Sequence, residues 1–224
     1  MRLPNIAIDG PAASGKTTVA QRLARQMGLV FLDTGAMYRT VAWEALKKGV
    51  DCGDEAALVA LAESSDMQVS ADDSPLGYAI TVQGQDITGE LHEPRIDQAV
   101  PLVAKVSGVR RELVRRQQAM AASGGVVMVG RDITTVVMPE AEFKYYLDAD
   151  VVERAHRRYL ELRGQGKDIT EAEVLEQMRE RDYVDTHRSD SPLQLVPGVR
   201  RFDSTGMTIE QVVNALAQAS RAEQ

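Results

Sequence analysis

Residues 8–18 read IDGPAASGKTT, which places Gly10, Gly15, Lys16 and Thr17 in the spacing G-x-x-x-x-G-K-[ST]. Few short patterns constrain a fold as tightly. The glycines let the backbone approach phosphate oxygens and aim its N–H groups at them. The lysine brings a point charge toward the β- and γ-phosphates, and the hydroxyl after it is a ligand for Mg²⁺. Such a loop needs a buried strand before it and a helix N-terminus after it. Both flanks have that character. Residues 3–8 form a short apolar run that reads as a buried strand. Val19, Ala20, Leu23, Ala24 and Met27 fall at helical spacing over residues 16–27, with Gly28 placed to stop the helix. The candidate phosphate-binding residues are Gly10, Pro11, Ala12, Ala13, Ser14, Gly15, Lys16, Thr17 and Thr18, with Thr17 as the candidate metal ligand.

The pattern continues as α/β. Residues 30–32 read as a second strand ending at Asp33-Thr34-Gly35, followed by a helix over 36–48 closed by Gly49. The middle departs from that rhythm. A helix over 55–64 precedes short strands at 67–70 and 78–82, separated by the polar tract 71–75. Residues 83–86 read as a turn, and helical stretches follow near 94–106 and 109–122. Short strands linked by turns point to antiparallel hairpins. Residues 36–108 are therefore expected to be an insertion between core strands. The α/β rhythm resumes with strands at 125–129 and 143–147, charged helices at 151–163 and 171–186, a strand at 199–202 and a helix from Thr208. The fold class expected is α/β: a P-loop-type parallel sheet flanked by helices, with an inserted domain of short antiparallel strands and helices.

Composition narrows the function. A net charge of −7 argues against a broad nucleic-acid face, which needs a basic footprint. One cysteine, Cys52, permits neither an internal disulfide nor a thiolate cluster, and the three histidines are far apart, which argues against zinc. No run of about 18 apolar residues offers a membrane span, and the N-terminus lacks a secretory pattern. A cytoplasmic, monomeric protein is expected, with no nucleic-acid or membrane partner.

A phosphate loop can serve a switch, a motor or a transferase. A guanine-reading N-K-x-D is absent: the asparagines are Asn5 and Asn214, and neither precedes a lysine. Nothing basic or repetitive supports a polymer-tracking motor. A transferase needs a second anion site and positive charge over the transferred group, because phosphoryl transfer is mostly positioning and electrostatic stabilisation. Arginines stand at element ends: Arg39, Arg110, Arg131, Arg181 and Arg188, with a denser set at Arg154, Arg157 and Arg158. Any one of them could equally be a solvated helix face or a surface ion pair. Arg131 is harder to read that way. It follows an apolar strand at its carboxyl end, where open α/β sheets bind ligands.

The stretches IAIDGPAASGKTT (6–18), LDTGAMYR (32–39), VR (109–110), GRDITTVV (130–137), YLDADVVERAHRRYLEL (146–162) and RERDYVDTHRSDSPL (179–193) together resemble the bacterial cytidylate kinases, a family of nucleoside monophosphate kinases. The resemblance spans essentially the whole chain in order. It implies transfer of the γ-phosphoryl of ATP, with Mg²⁺, to CMP or dCMP, in pyrimidine nucleotide metabolism. It also implies a core at 1–35, 109–150 and 189–224, a monophosphate-binding insertion at 36–108 and a lid at 151–188. Carried across, it places Arg39 and Arg131 at the acceptor phosphate with Thr34 and Tyr38 beside it, Arg110 and Asp132 on the cytosine, and Arg181, Asp185 and Arg188 at the ribose. Lys16, Arg131, Arg154, Arg157 and Arg158 become the catalytic cations. An i,i+4 surface pair between Arg181 and Asp185 is the plainer reading of those two, and both can hold. Some positions depart from the family pattern. Pro101 stands where a base-binding serine is usual, Val129 where an acid is common, Thr134 where glycine is common, and Ala13 where glycine is frequent, although inside the free x-x-x-x span. A broader kinase that also accepts UMP, or an ATP-binding regulator without transferase activity, are the alternatives.

Overall fold

The computed structural model describes residues 2–72, 74 and 76–222; of the polar tract at 71–75, Asp73 and Pro75 lie outside the described residues. The sheet grows around β1 (Ile6–Asp9), whose four residues are fully buried. Burial on both faces is what a central parallel strand requires, hence its apolar Ile6, Ala7 and Ile8. Leu3 and Pro4 do not join it; Leu3 is exposed and the strand begins at Ile6. α1 (Lys16–Met27) carries Val19, Ala20, Leu23 and Ala24 on its buried face and ends at Gly28, whose left-handed backbone (φ 69°) returns its N–H to the Ala24 carbonyl.

β2 (Val30–Asp33) runs directly into α2 (Thr34–Lys48). The helix starts two residues earlier than its apolar periodicity predicts, because the Asp33 carboxylate accepts from the Gly35 N–H at 2.9 Å and caps it at once. α3 (Glu55–Ser64) lacks a glycine stop. Arg116 takes over that task by donating to the carbonyls of Ser65 (2.9 Å) and Ala62 (3.0 Å).

β3 (Met67–Ala71) and β4 (Tyr78–Val82) are antiparallel. The expected turn at 83–86 is shorter than predicted. Gln83 (φ 52°) and Gly84 (φ 76°) turn the chain alone, and Gln85–Asp86 pairs back onto β4 as β5. Two consecutive positive φ angles match the twist of flanking strands, so the next residues fall into register. A 3-10 turn (Glu90–His92), α4 (Pro94–Ala104) and α5 (Ser107–Ala121) follow. Pro101 lies inside α4, exposed. The antiparallel sheet is not detached from the core: Tyr78 meets Phe31 of β2 with ring centroids 6.1 Å apart.

β6 (Val126–Gly130), β7 (Phe143–Asp148) and β8 (Arg200–Asp203) complete a five-stranded parallel sheet of order β2-β6-β1-β7-β8. The chain passes from β6 on one side of β1 to β7 on the other. The carboxyl ends of β1 and β6 therefore open side by side at the crevice where such sheets hold ligands. After β6 comes a π-helical turn (Ile133–Val137) that no hydrophobic period announces. α6 (Val151–Gly164) and α7 (Glu171–His187) pack on each other around Ala155, Leu162, Val174 and Met178, with Ala12 of the phosphate loop in the same small cluster. α8 (Ile209–Ala222) closes the fold against α1. No helix among the described residues is long and apolar enough to cross a membrane.

Candidate active site

The phosphate loop leaves β1 at Gly10. A β-carbon there would lie 2.1 Å from the Leu147 carbonyl oxygen, so glycine is required by the close approach of β7. Ala13 is not the unconstrained position that the pattern implies: its φ is +57°, the left-handed region, where a β-carbon costs about 1 kcal/mol. Gly15 caps α1 with no side-chain hydrogen bond, and the first turn of that helix has no acid. The N-terminal amides of α1 thus have no side-chain cap and no acid beside them, the setting in which a helix N-terminus takes an anion. Lys16 is buried, and its Nζ donates to the Pro11 carbonyl at 2.8 Å. Burial, then the nearby Arg131, drive its pKa well below the usual lysine range. A bound polyphosphate would reverse that penalty. Thr17 and Thr18 are exposed.

Facing the loop stands the turn after β6. Asp9 and Gly130 are register partners, so Arg131 and Asp132 emerge beside the root of the loop. Gly130 is closely packed: a β-carbon would meet Ile133 at 2.7 Å and the Thr34 hydroxyl at 2.9 Å. Thr34 donates to the Val129 carbonyl at 2.7 Å and fastens α2 to the end of β6. Arg131 Nε donates to Asp185 Oδ2 at 2.6 Å. Asp185 therefore takes its hydrogen bond from a segment 54 residues away, not from Arg181 one turn back. Burial alone would raise the Asp185 carboxyl, but Arg131, Arg181 and Arg188 outweigh it and hold it below the usual value.

Deeper in the cleft Arg110 and Asp132 form a buried ion pair, their side chains 4% and 10% exposed. Arg110 also donates to the Ala104 carbonyl at 3.4 Å, and its Nε lies 3.7 Å from Asp190. The guanidinium sits 5.8 Å from the centre of the Tyr38 ring, and burial pushes the Tyr38 hydroxyl up to about 12. Arg188 donates to the Ser191 carbonyl, 2.7 Å from Nε. Arg181 is exposed at the mouth, and its pKa falls through lost hydration and repulsion from Arg131. Arg39 donates to the carboxylate of Asp97 on α4 and, at 3.5 Å, to the Leu91 carbonyl. Two buried polar atoms without a hydrogen-bond partner, Ser14 Oγ and Arg110 Nε, lie at the two halves of this cleft.

The three arginines of α6 are placed unequally. Arg154 is buried; it donates to Ala149 (2.9 Å), to Ala12 of the loop (3.1 Å) and twice to Asp182 of α7 (3.1 and 2.6 Å). Arg157 and Arg158 turn to Glu153 and Glu161 on their own helix, at 3.0 and 2.7 Å. Sequence reasoning gave no role to Asp9, Asp97, Asp182 or Asp190. The first carried a signal: an acid closing an otherwise apolar strand.

Sheet order, phosphate loop and crevice define a phosphate-loop protein of the kinase type. The chain belongs to the cytidylate kinase family, whose model matches residues 6–222. A cytidylate kinase of Pelotomaculum thermopropionicum is 44% identical over 213 residues, covering 95% of this chain and 94% of that one. One from Bacillus licheniformis is 44% identical over 214 residues, again 95% and 94% of the two chains. In fold alone, the crystal structure of an uncharacterized protein from Eubacterium ventriosum is similar, with a TM-score of 0.54 at 10% identity over 98% of this chain and 99% of that one.

Proposed function

We propose that this protein transfers the γ-phosphoryl group of ATP to CMP or dCMP. The observation that carries the reading is the juxtaposition across β1 and β6. The phosphate loop and the Arg131-Asp132 turn leave neighbouring strand ends, and the buried Arg110–Asp132 pair lies behind them. The loop amides and Lys16 hold the donor. Arg39 and Arg131 grip the acceptor phosphate, flanked by Thr34 and Tyr38. Asp132 accepts from the cytosine N4 amine while Arg110 donates to N3 or O2. Arg181, Asp185 and Arg188 hold the sugar.

In the reaction a phosphate oxygen of CMP bonds to the γ-phosphorus, and the bond from phosphorus to the β–γ bridging oxygen breaks with its electron pair leaving on ADP. The attacking oxygen is already anionic near neutral pH, since a phosphate monoester has its second pKa at about 6, so no general base is needed. Lys16, Arg131, Arg157 and Arg158 neutralise charge on the transferred group, while Arg154 orders the loop through Ala12. Residues 36–108 and 151–188 are the parts that close to exclude water.

Thr17 fits a Mg²⁺ ligand: it is exposed at the head of α1, and among the described residues no cluster of acids or histidines competes for a metal. When bound, Mg²⁺ supplies charge neutralisation on the donor phosphates. We further propose that it acts in the cytoplasm, as a monomer, on small-molecule substrates.

The test is a profile of CMP, dCMP, UMP and AMP at fixed ATP. CMP and dCMP should exceed UMP by at least about tenfold in kcat/KM, because the O4 of uracil would face the Asp132 carboxylate. Equal turnover of UMP points to the broader kinase. ATP binding with no acceptor-dependent release of ADP would leave only a nucleotide-binding regulator.

A further inference from the structure

Asp9 is the last residue of β1 and the residue before Gly10, at the root of the phosphate loop. It is wholly shielded from solvent. A carboxyl group in the central strand of a sheet is costly unless it is fully hydrogen-bonded. Its partners come from one place. Oδ1 accepts from the Ile133 N–H at 2.8 Å; Oδ2 accepts from the Thr134 N–H at 2.8 Å and from the Thr134 hydroxyl at 2.6 Å. These are the first two residues of the π-helical turn, which closes back onto the Asp132 carbonyl through Val136 (2.9 Å) and Val137 (3.1 Å). Such turns are rare and concentrate at functional sites. Arg131 and Asp132 stand immediately before the residues that Asp9 grips.

The transfer chemistry proposed above does not use Asp9, whose carboxylate oxygens are taken up by Ile133 and Thr134. Its three bonds do, however, join the donor loop to the acceptor turn by a single side chain. We infer that Asp9 and Thr134 are positioning residues that set Arg131 and Asp132, and with them the acceptor, at the distance and angle from the phosphate loop that in-line transfer needs. The inference rests on the assignment of Arg131 and Asp132 to the acceptor. A displacement of about 1 Å at such a site can cost about a hundredfold in rate.

Thr134→Val keeps the branched shape and removes the hydroxyl, whereas Thr134→Ser keeps the hydroxyl. Steady-state rates with CMP and ATP varied, calorimetric binding of ATP alone, and thermal melting separate the possibilities. Thr134→Val should lose about tenfold in kcat/KM for CMP while its ATP dissociation constant stays within about twofold; Thr134→Ser should recover wild-type kcat/KM within about twofold. Asp9→Asn, which turns an amide against backbone donors, should lose about a hundredfold by the same measures; should it fail to fold, the Thr134 pair decides. Wild-type kcat/KM in Thr134→Val, no recovery in Thr134→Ser, or a parallel loss of ATP binding would each overturn the inference. A wild-type protein that turns over no CMP would instead overturn the function proposed above, so the two failures are told apart.

Discussion

Asp132→Asn is the most informative single substitution, because it perturbs stability and base choice by amounts that the structure constrains separately. The Asp132 carboxylate lies in a nearly dry pair with Arg110. Breaking a buried pair can cost 3–5 kcal/mol when the remaining charge is stranded. Arg110 is not stranded here: Asp190 lies 3.7 Å away and the Ala104 carbonyl accepts at 3.4 Å. Asparagine also keeps one oxygen acceptor in place. The loss is then that of a charged hydrogen bond, about 2 kcal/mol. For a chain of 224 residues that lowers Tm by about 4–8 °C. The same 2 kcal/mol, read at the cytosine amine, lowers kcat/KM for CMP about thirtyfold. UMP should respond oppositely, since the asparagine amide can donate to the uracil O4. Melting by circular dichroism and coupled-enzyme rates with CMP and UMP at saturating ATP give both numbers. An unchanged ratio of CMP to UMP turnover, with the expected fall in Tm, would refute Asp132 as the reader of the base and leave it a structural partner of Arg110.

Two further substitutions probe the loop and the acceptor grip. Ala13→Gly relieves the left-handed strain at φ +57°, less the entropy glycine adds to the unfolded chain; a net gain of roughly 0.5 kcal/mol should raise Tm by about 1–2 °C, and a fall in Tm would show the strain to be absent. Asp97→Asn frees Arg39 from a half-exposed ion pair that, if Arg39 grips the acceptor as proposed, the monophosphate has to displace; KM for CMP should drop about two- to fivefold, the range of such pairs, with KM for ATP unchanged. A rise in KM would instead make Asp97 the residue that orients Arg39.

Much of this architecture was legible because it is local. The phosphate loop, the helix after it and the stops at Gly28 and Gly49 are determined by residues within one or two turns of each other. The apolar runs of β1 and β6 announce a buried parallel sheet for the same reason. What was not legible depends on distant partners. Asp185 offers a local arginine at i−4, yet bonds to Arg131, which only the folded sheet brings near. The π-helical turn has no period of its own and is held by Asp9 from 124 residues away. The freedom assigned to Ala13 was a statement about side-chain identity; the backbone at that position turned out to be the constrained quantity. β5 was hidden for a different reason: two residues are too few to show alternation, and a pair of positive φ angles just ahead of them sets their register.

The guanidinium of Arg154 spans from the Ala12 carbonyl to Asp182, and the small apolar cluster around Ala155 shares Ala12 with it. This cluster is separate from the main core, so α6 and α7 form a patch whose opening need not wait for global unfolding. When the pair lifts, Ala12 loses both its packing and its hydrogen-bond donor, and the loop loosens with it. If the loop takes the nucleotide as proposed, its ordering and the docking of the two helices are coupled through Ala12. On the proposed reading, a ligand that stiffens residues 10–18 should slow amide exchange in α7, and a substitution that unseats Met178 should weaken the binding of that ligand.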